Sequence, residues 1–247
     1  MTRILTFLKL MNFWVNYEYI NTKYSRVWKY VVPGVSFGIL LIMAFGTNSG
    51  IRPRSSINIA FAVLYFCFLD LSLSRSLRAL YLAPKIKEVV GFTTSRIVFS
   101  SALSPILELL PWFLISLTLI GFSSTNFPFE FLGILISMFL CFSLAIVSAI
   151  PVAYIGRNLR DFRFLLPYYS KVTLMTTPLI FAFNWDSNLV FIAQSINPIS
   201  FIAFVLYEYD HKEIQISAAV YLVSFLTLLF LSFRFRHSRS TRFEEST

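Results

Sequence analysis

Six apolar runs, each near the length a helix needs to cross a bilayer, constrain this chain more than any other feature. They fall at about 30–46, 57–77, 98–122, 129–154, 165–183 and 214–233, against the roughly 20 residues that carry a helix across about 30 Å of hydrocarbon. With 57% of its residues hydrophobic and only 13% charged, the chain holds more apolar material than a soluble core of 247 residues can bury. The runs lack strand-like alternation, so helices rather than a barrel are expected. Pro33, Pro105, Pro111 and Pro178 lie within them, and kinks are expected where neighbours re-satisfy the freed carbonyls.

The basic residues orient the runs. Of 21 Lys and Arg, 17 lie in four regions: the first 29 residues, the second-to-third connection, the stretch 155–164 (IGRNLRDFRF) and the tail after 233. Positive charge beside membrane segments is retained in the cytoplasm. The pattern predicts an all-α, polytopic membrane protein with six spans and both termini cytoplasmic. Residues 1–29 form a cytoplasmic N-terminal region, 30–233 the transmembrane domain and 234–247 a cytoplasmic tail. The formal +9 charge is then a topological signal and points away from nucleic-acid binding. No small-residue cleavage site follows the short apolar patch at the N-terminus, so no cleaved leader is expected.

Three shorter segments are two-sided. In residues 4–16, Ile4, Phe7, Leu8, Met11, Trp14 and Val15 share one helical face, and Thr6, Lys9, Asn12 and Asn16 another. The segment is expected along the membrane surface, with Trp14 and Lys9 at headgroup level; an adsorbed, frayed tail is the plainer alternative. Residues 81–96 follow a Pro84 break with an amphipathic KIKEVV, predicting a short cytoplasmic helix able to dock on a partner, or else a solvated loop. Residues 184–213 are external by charge yet hold two apolar runs too short to cross, separated by Asn197-Pro198. Two short re-entrant helices over the outer mouth of a cavity fit that pattern; interfacial packing without a gate is the alternative.

Ionisable groups in hydrocarbon are costly and face protein or water. Asp70 either pairs with Arg75 or snorkels toward the surface, or it lines a polar pathway. Glu108 and Lys171 stand in the third and fifth runs, where they could form a pair. Gly34 and Gly38 share a face that allows close helix approach, within one chain or between two.

Chemical motifs are scarce. None of the eight glycines starts a phosphate-binding GxxxxGK[ST], so the chain is not expected to hydrolyse ATP. Gly121 to Ser124 (GFSS) lacks the second glycine and the His partner of a hydrolase elbow. Cys67 and Cys141 lie in apolar runs and offer no disulfide framework, and His211 and His237 lack ligand-like companions. No catalytic, metal or cofactor-binding residues are assigned.

Several features, in order, resemble the membrane subunit of type-2 ABC exporters, in the branch that exports O-antigen, capsule and teichoic-acid polysaccharides. They are Tyr19, Trp28 and Pro33 leading into the first run, Arg160-Asp161-Phe162 after the fourth, Thr177-Pro178-Leu179 late in the fifth, and Asn197-Pro198 before the sixth. The sequence departs from the family at "NYE" before Tyr19 and at "GFTTSR", where Phe-Pro-Arg is usual.

The resemblance implies a bacterial inner-membrane homodimer with two copies of a separate nucleotide-binding ATPase subunit, which carries the ATP and magnesium. Tyr19, Lys85, Lys87 and Glu88 would couple to that subunit. Arg160 and Asp161 would fix a hinge, and Pro178, Asn197 and Pro198 would belong to the gate. The exported cargo would be a lipid-linked glycan, with Asp70, Glu108, Tyr168, Tyr169 and Lys171 as candidates for lining the path. Rival readings are the same architecture exporting a drug or lipid, and a stand-alone six-span channel or sensor.

Overall fold

The computed structural model describes residues 2–19, 56–90, 92–123, 127–159 and 211–244, with scattered positions within 31–39, 165–173 and 197–205. Nearly all of these residues are helical, and none of those described lies in a strand. The named elements are α1 (Thr2–Tyr19), α2 (Ser56–Val90), α3 (Thr94–Leu103), α4 (Pro105–Ser123), α5 (Phe127–Asn158) and α6 (His211–Glu244). Three stretches among the described residues are long and apolar enough to cross a membrane: Thr94–Thr118, Phe131–Asn158 and Gln215–Phe235. They coincide with the third, fourth and sixth runs. The first and fifth runs lie largely outside the described residues, as does most of 184–213, and the second forms the first part of α2.

α2 differs from the expectation. It continues through Pro84 to Val90, so residues 81–90 end a 35-residue helix instead of forming a separate short one. Pro84 removes one hydrogen bond, to the Leu80 carbonyl. The ring is exposed, while Leu80, Ala83 and Ile86 are buried on the other side, and their packing holds the helix through the proline. At 1.5 Å per residue the helix is about 52 Å long, well beyond the hydrocarbon thickness.

The third run, by contrast, is broken. A turn at Ser104 separates α3 from α4, and Pro105 opens α4, a position that suits its fixed φ. Pro105 leaves the Ser101 carbonyl without its helical donor, and the Ser104 hydroxyl donates to that oxygen instead, at 2.8 Å. α5 shows the same repair between helices. Pro151 deprives the Val147 carbonyl of its N–H, and Ser232 Oγ of α6 donates to it at 2.7 Å.

α2 is central, packed against α3, α4 and α5; α1 lies on α3 and α4, and α6 rests on α5. Two core clusters result. One gathers Phe61, Tyr65, Phe68, Leu109, Cys141, Leu144 and Tyr221 from α2, α4, α5 and α6. The other gathers Leu10, Trp14, Ala79, Ala83, Ile97, Ala102, Ala149 and Ala153 from α1, α2, α3 and α5. Its small residues bring backbones together: a Cβ on Gly156 would overlap the Leu77 carbonyl oxygen of α2. Gly34 is likewise closed off within the chain, since a Cβ there would overlap the Trp112 ring, whereas Gly38 has open space around it.

α1 packs its indole into protein: Trp14 is 2% exposed, and its N–H donates to Ser100 Oγ at 3.0 Å. Leu10, Met11 and Val15 are buried with it, while Ile4, Leu5 and Leu8 are exposed. The indole thus finds both apolar contacts and a hydroxyl acceptor within the protein.

Candidate functional site: a buried ion pair at a helix break

Among the described residues, a buried ion pair lies at the α3–α4 turn. Arg75 projects from α2 and is 1% exposed; Glu108, in the first turn of α4, is fully buried. Arg75 Nη2 donates to Glu108 Oε1, and Nη1 donates to Ser104 Oγ at 2.8 Å. Ser104 thus accepts from Arg75 while donating to Ser101, using both capacities of its hydroxyl. The dipole at the start of α4 adds to the stabilisation of negative charge at Glu108. Ser72 and Ser76, on either side of Arg75 along α2, are also buried, and their hydroxyls have no hydrogen-bond partner among the described residues.

Arg75 reaches across to Glu108, a pairing the sequence did not suggest; Asp70 stands five positions earlier on α2, about 140° around the helix. Asp70 is half-buried. Lys171, the expected partner of Glu108, lies outside the described residues.

Arg160, Asp161, Tyr169, Pro178 and Pro198 lie outside the described residues. Tyr19 ends α1, and Lys85 and Glu88 are described only as positions on α2, where Lys87 is exposed in the last turn. Tyr168 is helical and 67% exposed. Asn197 is buried, and its Nδ2 donates to the Thr173 carbonyl at 2.9 Å. Its own carbonyl accepts from Ser200 N–H at 3.0 Å, so it ties the start of the helical residues at 200–202 to those at 172–173.

Sequence reasoning missed Ser104, Trp14 and Ser232 as structural contacts. A serine directly before a proline inside an apolar run was the available signal for Ser104. No local signal marks Ser232, whose partner lies 85 positions away.

Chemically the site is a cross-brace. A two-pronged cation on α2 holds the hydroxyl at a helix break and the carboxylate one turn beyond it. Among the described residues no group of three His, Cys, Asp or Glu side chains is placed to hold a metal ion. Comparison with protein-family models finds no match to this chain, and comparison with curated proteins finds none either.

Proposed function

We propose that the chain is the transmembrane subunit of an ATP-driven exporter of a lipid-linked polysaccharide, working as a homodimer with two separate ATPase subunits. In this reading it has six spans in a bacterial inner membrane, with both ends on the cytoplasmic side. The ordered motifs at Tyr19, Arg160-Asp161, Thr177-Pro178 and Asn197-Pro198 motivate it.

The observation that carries it is the shared core of α1 and the end of α2. Leu10 and Trp14 pack in one cluster with Leu80, Ala83, Ile86 and Phe92. The two elements assigned to the ATPase contact therefore share one buried cluster, with α3 packed against each of them. A push on either would pass to the other through α3, and Arg75 on α2 would carry the displacement to the α3–α4 turn.

Purification of the tagged chain from its host in mild detergent tests this. Recovery of a nucleotide-hydrolysing subunit in equal amount, and intracellular accumulation of the glycan precursor on deletion, are the expected results. A stable particle without any ATPase, together with unchanged surface polysaccharide, counts against the proposal and favours a stand-alone channel or sensor.

A further inference from the structure

A cavity of about 170 Å³ lies between α2, α4 and α5, lined by residues including Leu64, Phe68, Leu109, Phe113, Met138 and Phe142. Its lining is almost wholly apolar. The one phenol on it, Tyr65, donates to the Ile134 carbonyl at 2.7 Å. Water has no partners to gain there, and a cavity of roughly 150 Å³ with such a lining stays dry and takes apolar guests.

The cavity's depth and mouth identify the guest. Leu109 falls near the middle of Thr94–Thr118 and Phe113 about a turn further along it, and Met138 and Phe142 lie within Phe131–Asn158, two of the membrane-length stretches. Leu110 belongs to the lining and is 46% exposed, so the cavity opens on the outer surface of the bundle. Around a spanning bundle, what lies against that surface at that depth is hydrocarbon.

We propose that this cavity holds part of an acyl chain from a bilayer phospholipid. Transfer from lipid to an apolar site gains no hydrophobic free energy, so packing decides the matter. An unfilled void forfeits the dispersion contacts of its lining, and a chain segment restores them. The Phe68 and Phe142 rings, 4.8 Å apart, form one wall, and the flexible Met138 adapts the other.

The test uses the full chain in liposomes containing a phospholipid with a photoreactive diazirine midway along one acyl chain. Leu64 and Phe68 are each 3% exposed, so bulk lipid does not reach them. After irradiation, mass mapping is expected to find label on Leu64 and Phe68 as well as on the exposed Leu114 and Phe139. Met138→Trp, which fills the cavity, should cut the label on Leu64 and Phe68 about tenfold, equivalent to roughly 1.4 kcal/mol of occupancy. Label on Leu114 and Phe139 should persist. If Met138→Trp does not fold, Leu110→Trp at the mouth serves the same purpose. Label confined to exposed positions, as when a second copy of the chain covers the mouth, overturns the proposal. So does unchanged label on Leu64 and Phe68 in a folded, cavity-filled variant.

Discussion

The cluster around Trp14 and Ala153 is built from small side chains, whereas the one around Phe61 and Tyr221 is built from rings. In the first, Ala79, Ala83, Ala102, Ala149 and Ala153 are at most 3% exposed and let four helices approach closely. In the second, Phe61 meets Phe113 edge-on at 5.3 Å and Phe68 meets Phe142 at 4.8 Å, and a cavity remains beside them. Small residues pack backbone against backbone and tolerate no addition. Rings fill volume coarsely and leave space that other molecules can take. Arg75, Ser104 and Glu108 stand where α2 passes from one region to the other. The tight region should therefore resist added volume, and the looser one should accept it.

The ion pair should be the most sensitive point. Glu108→Ala or Arg75→Ala leaves a buried charge without its brace, at an expected cost of about 3–5 kcal/mol. Thermal unfolding in detergent measures it. Replacing both residues by methionine should recover most of that loss, and a double variant as unstable as either single one would show that the pair is not the brace described.

Overfilling separates the two clusters next. Ala149→Leu adds bulk where backbones touch and should cost about 1–3 kcal/mol, as should Gly156→Ala, whose methyl meets the Leu77 carbonyl. Ile106→Phe adds comparable bulk beside the cavity and should change stability by less than about 1 kcal/mol. Equal losses at Ala149 and Ile106 would erase the distinction between the regions.

The smallest effect tests the proline repair. Ser232→Ala should cost about 0.6 kcal/mol, the typical value for a hydrogen bond between membrane helices. In a Pro151→Ala background, where the backbone supplies the N–H to Val147, the same change should cost nothing measurable. A cost independent of Pro151 would mean that Ser232 acts by packing alone.

Some of this was legible along the chain. The helical class and the runs at 98–122, 129–154 and 214–233 follow from apolar length, because backbone groups in hydrocarbon must bond within their own segment. The amphipathic character of residues 4–16 was visible too, but its orientation was not. Ile4, Leu8, Met11, Trp14 and Val15 share one apolar face, yet the structure buries Met11, Trp14 and Val15, with the indole bonded to Ser100 of α3, and leaves Ile4 and Leu8 exposed. Pro84 and Pro105 look alike as punctuation, yet α2 runs through the first and α3 ends at the second. Lateral packing decides whether a missing N–H is tolerated, and periodicity does not encode it.

Residue order alone therefore determined that this chain forms long apolar helices, where their charges cluster and which ionisable groups must be shielded. Tertiary structure alone chose the partners: Arg75 for Glu108, Ser232 for Val147 and Trp112 for Gly34. The reason is geometric. Apolar length and charge position act through the solvent each residue meets along the chain, but a charge or a carbonyl is satisfied by whichever group another helix brings within about 3 Å.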